Sequence, residues 1–412
     1  MDNHNYNSKI LNDPVYGFIS LPHKILLDVI DHPYFQRLRR IKQLGLSHLV
    51  YPGAMHTRFQ HSIGCTHLML QAVATLRNLG INITIEEEKG VCLAILLHDI
   101  GHSPFSHTLE NSIVSGIKHE GVSKIFMQAL NKDFAGQLDI AISIFSNKYH
   151  KRFLHKLVSS QLDMDRLDYL KRDSFFTGVS EGVIGNERII KMFDIVNDDI
   201  VIKQKGIYSI EKFLVARRLM YWQVYLHKTV LSAEFLLMNI LNRAKEIALS
   251  RGNVFATSSL KIFLYNNIDS KKLKNDTTLK QFANLDDYEI FTNIKEWVND
   301  EDIVLSKLSY MLVNRNLLKV KMRKETFKIK EIESLRSKCI EKYNLNSEEV
   351  KYFVFQTSMT NNAYDTKNDE IKILYKSGKM VNIADASDNY NIQALSSEVK
   401  KYYLFYPADL SK

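Results

Sequence analysis

Between His98 and His107 the chain reads HDIGHSPFSH, three histidines and an aspartate within ten positions, directly behind the apolar run from Val91 to Leu97. Neutral imidazole nitrogen and carboxylate oxygen are the donors that a borderline divalent cation such as Fe, Mn or Zn accepts, and an adjacent His-Asp pair can turn one of each toward the same cavity. The apolar run predicts a rigid buried helix that fixes the pair. Two further places supply donors of the same kinds, His61 in RFQHSIG and Asp165 in LDMDRLDYLKRD. A single histidine on a helix is more often a packed or surface residue than a ligand. His61, His98, Asp99 and Asp165 taken together point to a mononuclear or dinuclear metal centre.

Such a centre needs helices to hold it, and the sequence provides them. Five of the six prolines lie at or before Pro104 and the sixth is Pro407, so roughly three hundred residues between them lack an obligatory helix breaker. Apolar residues recur at three- and four-residue spacing over Tyr34 to Leu44, Gly64 to Leu79, Gln161 to Asp173 and Ile210 to Ser250, as in core-facing helices. Glu86-Glu87-Glu88-Lys89 reads as an exposed helix start. From about Val320 the texture changes to alternating, β-branched segments at 352–355, 371–375 and 402–406. The expected fold is mainly α, with a helical catalytic core over 1–250, a helical extension over 251–319 that contributes subunit and nucleotide contacts, and a small α+β region over 320–412.

Composition narrows the class. The 412 residues are 45% hydrophobic and 25% charged, ordinary for a soluble protein with a sizeable core. No stretch approaches the roughly 18 to 20 apolar residues of a membrane span, and the start MDNHNYNSK lacks the layout of a secretory signal, so a cytoplasmic protein is expected. Cys65, Cys92 and Cys339 are too few and too far apart for a disulfide framework or a cysteine metal site. The net charge of +9 favours polyanionic partners, nucleotide or nucleic acid.

The order H…HD…D, with HSIG around the first histidine and HDIGHSPFSH around the pair, resembles the HD-domain metal-dependent phosphohydrolases. The segments NDPVYG, HPYFQRLRRIKQLG, YPGAMHTRFQHSIG, LLHDIGHSPFSHTLE and LDMDRLDYLKRDSFFTGV resemble in particular the deoxynucleoside triphosphate triphosphohydrolase branch, strongly over about 9 to 250 and more weakly at NRNLLK, 314–319. The resemblance implies a helical HD-domain core and the metal ligands His61, His98, Asp99 and Asp165 for a divalent ion: Fe, Mn, Zn or Mg. The implied reaction is attack at the α-phosphorus of a dNTP, releasing deoxynucleoside and intact triphosphate. His107 is the implied proton donor to the departing 5′ oxygen, for which an imidazole with an unperturbed pKa of about 6.5 is suited. His102 and His119 match positions around the triphosphate. Glu110, where a family member carries aspartate, matches a residue that orients His107. Arg58, Arg166 and Arg217 match phosphate contacts. Gln43, Leu44, Tyr169, Asp173 and Tyr221 match sugar and substrate contacts, and Tyr225 the ring packed against C2′ that leaves no room for a 2′ hydroxyl. The ordinary alternative for Tyr221, Trp222 and Tyr225 is an aromatic core stripe. No matched residue reads a base edge strongly, which implies a broad dNTP range.

The same resemblance implies a second nucleotide site between subunits, for a dGTP or GTP activator, built from Lys9, Ile10, Asp31, Gln36, Arg39, Lys203, Lys205, His227, Lys228, Arg315 and Lys319. A carboxylate can accept from guanine N1 and N2 hydrogens and an arginine can donate to O6 and N7, so Asp31 and Arg39 are chemically suited. Such a site requires a homo-oligomer, a dimer or tetramer. Two other readings compete. One is an HD-fold phosphohydrolase acting on another nucleotide, although the GYP and HDxxED elements of such branches are absent. The other is a nucleic-acid-binding or sensing protein with a vestigial site, which the charge allows but four filled ligand positions disfavour.

Overall fold

The computed structural model describes residues 9–106, 113–250, 252–361, 364, 370–388 and 397–411. The fold is mainly α. Its centre is a set of helices whose ends are written locally in the sequence. The Arg58–Asn78 helix starts where the Thr57 N–H donates to Gln60 Oε1 at 2.8 Å. The Ile85–Leu96 helix starts in a reciprocal cap: Glu87 N–H donates to Thr84 Oγ1 at 3.2 Å and Thr84 N–H to Glu87 Oε2 at 2.8 Å. Here Glu87 is buried rather than exposed as expected, because Tyr149 and Lys151 reach its carboxylate at 2.9 and 2.7 Å. The Met164–Thr177 helix is capped by Asp163, which accepts from Arg166 N–H at 2.7 Å, and ends at Gly178, whose φ of 75° is the left-handed conformation that glycine adopts without a Cβ penalty.

Two glycines let these helices and their loops approach. A Cβ on Gly64 would stand 2.0 Å from Asp168 Oδ1 and 2.2 Å from Arg172 Nη2, so only glycine allows the Arg58–Asn78 and Met164–Thr177 helices to pack there. A Cβ on Gly101 would meet Ser123 N at 2.2 Å and the His119 carbonyl oxygen at 2.5 Å, so the HDIGH turn lies flush against the start of the His119–Asp133 helix.

Two expected helices are interrupted. The segment 34–44 is a short helical turn Pro33–Gln36 followed by a 3-10 turn Arg37–Arg40 and an extended bridge from Lys42 to Thr57. The segment 210–250 is a helix Ile207–Met220, a π turn Tyr221–Tyr225 closed by Leu226 N–H to the Tyr221 carbonyl at 2.7 Å, and a second helix Lys228–Ser250. Both interruptions fall where side chains turn into the cavity described below.

Among the described residues the strands form three small sheets. Lys9–Asp13 and Gly17–Leu21 make a hairpin inside the stretch expected to be helical. Phe193–Val196 and Asp199–Lys203 are extended by Lys372–Leu374 and Met380–Asn382, with Asp199–Lys203 running parallel to Lys372–Leu374. Lys319–Arg323 and Phe355–Asn361 flank Val399–Tyr406. The strand expected at 352–355 begins only at Phe355, since Glu349–Tyr352 is a 3-10 turn. Residues beyond 320 therefore complete a sheet begun near residue 193, and one apolar core runs from Ile19 to Leu410. The 251–319 region grips the HDIGH turn from outside: Asp287 accepts from Lys42 N–H at 2.9 Å and from Phe105 N–H at 2.8 Å. Among the described residues no helix is long and apolar enough to cross a membrane.

Candidate metal centre and active site

His61 lies on the first turn of its helix, fully buried, and its two ring nitrogens have separate tasks. Nδ1 donates to Asp168 Oδ2 at 2.7 Å, and Asp168 is itself held by Arg172, whose Nε lies 2.8 Å away and whose Nη1 reaches Asp13 at 2.8 Å. Nε2 is thereby left as a lone-pair donor pointing at the second histidine. His98 repeats the arrangement: its Nδ1 donates to the Ile95 carbonyl at 2.6 Å, and its Nε2 stands 3.3 Å from His61 Nε2. Asp165 Oδ1 is 3.1 Å from His61 Nε2 and 3.6 Å from His98 Nε2. Asp99 brings Oδ2 to 3.6 Å from His61 and Oδ1 to 3.3 Å from His98. The four residues chosen from the sequence thus come together, each carboxylate within 3.6 Å of both imidazoles.

The electrostatics are those of a cation site. Burial opposes charge on every member. For Asp99 the Arg58 guanidinium and the neighbouring imidazoles outweigh it, and the carboxyl is held well below the usual carboxylate range. For Asp165 the hydrogen bonds and charges of His61 and His98 do the same. Burial also disfavours the His61 and His98 cations, but Cys65 with Asp165 and Asp168 outweighs it at His61, and Asp99 with Asp165 at His98, and both pKa values are raised. Two imidazoles with occupied Nδ1 atoms and ionised carboxylates are donors that suit a divalent metal ion; His61, Cys65, His98 and Asp165 cluster tightly enough to share one, and Asp99 clusters with His102 and His119 beside them. Cys65 lies one turn from His61, with Sγ 3.6 Å from Nε2, but burial pushes its thiol up, so it packs as a neutral group.

The centre opens into a cavity of about 550 Å³. Arg58, Asp99, His102, His119, Asp165 and Arg166 line it near the metal ligands. Arg58 is buried, ion-paired with Asp99, and donates through Nη2 to Ser106 Oγ at 2.7 Å. His102 stacks on His119 with ring centroids 3.9 Å apart, and its Nδ1 is 3.1 Å from Asp99 Oδ1. Burial, and then the Arg58 charge, keep His102 well below the ordinary histidine pKa and therefore neutral at pH 7. Farther along lie Gln43, Leu44, Tyr169, Asp173, Tyr221 and Tyr225. Asp173 accepts from Tyr225 Oη at 2.8 Å and pairs with His56 Nε2 at 2.7 Å, while the His56 ring stacks on Phe176. The π turn sets the Tyr221 and Tyr225 rings edge to face, 5.2 Å between centroids.

Arg217 departs from expectation. It is buried near the end of the Ile207–Met220 helix, donates to Gln161 Oε1 at 3.1 Å and stands behind the residues that line the cavity, with its charge felt by Tyr169. His107 and Glu110 lie outside the described residues. Of the residues matched to a second nucleotide site, Asp31, Gln36 and Arg39 are neighbours at the surface: Arg39 donates to Gln36 Oε1 at 2.8 Å and lies 3.5 Å above the Phe59 ring. Arg315 and His227 both touch the 49–51 segment, through the Leu49 carbonyl and the Tyr51 ring. Lys203 faces Asp194 at 3.6 Å. Lys9, Ile10, Lys205, Lys228 and Lys319 are exposed.

The structure also supplies groups that sequence reasoning passed over. Asp168, three residues after Asp165, has helical spacing that could have revealed it. His56 and Ser106 carry no such signal. Glu234, Phe235, Met238 and Met359 line the far part of the cavity and read in sequence as core.

Comparison with known proteins accords with this geometry. The HD domain profile matches residues 58–172 and the HD associated region profile 184–261. A phosphohydrolase of Bacteroides thetaiotaomicron, solved by crystallography, is 52% identical and superimposes with a TM-score of 0.93 over 97% of this chain and 99% of its own. The uncharacterized protein YwfO of Bacillus subtilis is 36% identical over 317 residues, 75% of this chain and 71% of that protein. The deoxynucleoside triphosphate triphosphohydrolase SAMHD1 homolog of Dictyostelium discoideum is 32% identical over 259 residues, 58% of this chain and 50% of that protein, so the chain spans half of that relative's length.

Proposed function

Since the chain belongs to the HD-domain phosphohydrolase family, we propose that it is a metal-dependent, cytoplasmic hydrolase that cleaves dNTPs to deoxynucleoside and inorganic triphosphate. The observation that carries the reading is the grouping of His61, His98, Asp99 and Asp165 beside a cavity lined by cationic, hydroxyl-bearing and apolar side chains. A nucleoside triphosphate offers a polyanion, a sugar and a base to such a lining.

His61 and His98 through Nε2, with Asp99 and Asp165, would hold the divalent ion. When bound, such an ion polarises a phosphoryl oxygen and lowers the pKa of water in contact with it. Arg58 and Arg166 neutralise phosphate oxygens through charge-assisted hydrogen bonds, Arg58 held in place by Ser106 and Asp99. His102 and its stacked partner His119 stand beside the ligand carboxylates at the triphosphate end of the site, His102 with Nδ1 turned to Asp99 Oδ1. Asp173, oriented by His56 and Tyr225, receives the 3′ hydroxyl. Tyr225 occupies the space that a 2′ hydroxyl would need. His107 is assigned the proton transfer to the 5′ oxygen. Asp31, Gln36 and Arg39 of one subunit, with basic residues of another, are assigned to a dGTP or GTP activator that assembles an oligomer, and by linkage assembly should tighten that nucleotide.

Replacing Asp165 tests the assignment. Asp165→Ala should lower dNTP turnover by at least about a thousandfold while far-ultraviolet circular dichroism stays native. Turnover retained in the metal-loaded variant would remove Asp165 from the centre.

A further inference from the structure

We infer that Glu234 is the base-reading residue of this cavity and selects guanine over bases that lack its paired N–H edge. The inference rests on the dNTP reading above and deepens it.

Glu234 lies on the Lys228–Ser250 helix, nine positions beyond Tyr225, and lines the same cavity. Its neighbours on that wall are apolar: Leu226, Leu231, Phe235, Met238 and Met359. Phe235 is braced against Phe405 and Phe355, with ring centroids 5.1 and 5.8 Å away, and Met359 sits on the strand Phe355–Asn361. A rigid aromatic wall beside two thioethers is a surface suited to a flat heterocycle. Among the described residues no hydrogen bond or ion pair satisfies the Glu234 carboxyl.

Glu234 is half-buried at the cavity wall, and the loss of solvent there pushes its carboxyl up to about 8. Arg58 and Arg166 are paired with Asp99 and Asp163 rather than with Glu234. It cannot face a triphosphate, which would repel it. With polyphosphate at the metal and the sugar at Asp173 and Tyr225, the part of a nucleotide left for Glu234 is the base. Guanine offers N1–H and N2–H2 side by side, two donors that the two oxygens of the ionised carboxylate accept, the Glu234 proton passing to solvent as they bind. Thymine offers N3–H alone, and hypoxanthine keeps N1–H but lacks the 2-amino group. A site built around such a pair rejects the analogue lacking it more strongly than an apolar pocket rejects a change of shape.

The test compares kcat/KM for dGTP and dITP, which differ only in the 2-amino group, in the metal-loaded wild-type protein, E234L and E234Q. The wild type should favour dGTP by about tenfold or more, and the ratio should fall to about one in E234L and stay well below the wild-type value in E234Q. Thermal unfolding confirms folding of both variants, and E234L, which removes an unpartnered carboxyl, should melt no lower than wild type. A dGTP to dITP ratio near one in the wild type, or one that survives E234L, overturns the base assignment and leaves the hydrolase reading standing. If the metal-loaded wild type cleaves neither nucleotide, the hydrolase reading falls and the base assignment with it.

Discussion

At Asp168 one carboxylate joins the metal centre to the framework: Oδ2 accepts from His61 Nδ1 and from Arg172 Nε, and Oδ1 from Arg172 Nη2 at 3.1 Å. This fixes the His61 tautomer and ring plane, so the account predicts an effect without loss of any ligand. Asp168→Asn keeps an acceptor and should weaken metal affinity by about ten- to a hundredfold, read by competition with a chelator of known affinity. Unchanged affinity would mean that His61 does not ligand through Nε2. At this scale the grouping of His61, His98, Asp99 and Asp165 was legible, because the flanks of His61, of the HD pair and of Asp165 are distinctive. The supporting shell was not. Asp168 looks like one more acid on a helix, and Glu234 like a polar interruption in an apolar stripe, until the cavity shows what each faces.

Among the elements, the packing of the Arg58–Asn78 helix on the Met164–Thr177 helix sets the distance between His61 and Asp165, and Gly64 is its closest contact. Gly64→Ala would drive a methyl group into Asp168 and Arg172, both fully buried. The expected cost is about 1–3 kcal/mol in urea unfolding, together with weaker metal binding, since the displaced group is the one that orients His61. A loss of stability with no loss of metal affinity would show that the helix contact is not what positions the centre. Helix existence was readable from apolar spacing, whereas the breaks at 37–44 and 221–227 were not. Both are dictated by tertiary partners: Asp287 draws in the Lys42 N–H, and the π turn lets Tyr225 reach Asp173. Intrinsic preference gives no hint of either.

For the molecule as a whole, the carboxyls that titrate upward include Asp287, to about 6, and Glu234, to about 8, each because loss of solvent disfavours its charge. Their folded values lie above those of an unfolded chain, so the folded state holds more protons and stability must fall as pH rises through both. Metal-free protein should therefore unfold at lower urea concentration at pH 9 than at pH 7, and Glu234→Gln should flatten that decline. A wild-type midpoint that rises over this interval would contradict the placement of Glu234. The chain-wide organisation was partly visible in sequence. The mainly α character followed from proline distribution and apolar periodicity, but the sheet joining 193–203 to 372–382 depends on pairing across more than a hundred and sixty positions, which local patterns do not encode. All of these scales meet in the reaction itself. Phosphorus NMR of metal-loaded protein turning over dGTP should show inorganic triphosphate appearing in equal amount with deoxyguanosine, and release of orthophosphate or pyrophosphate as the first product would contradict the account.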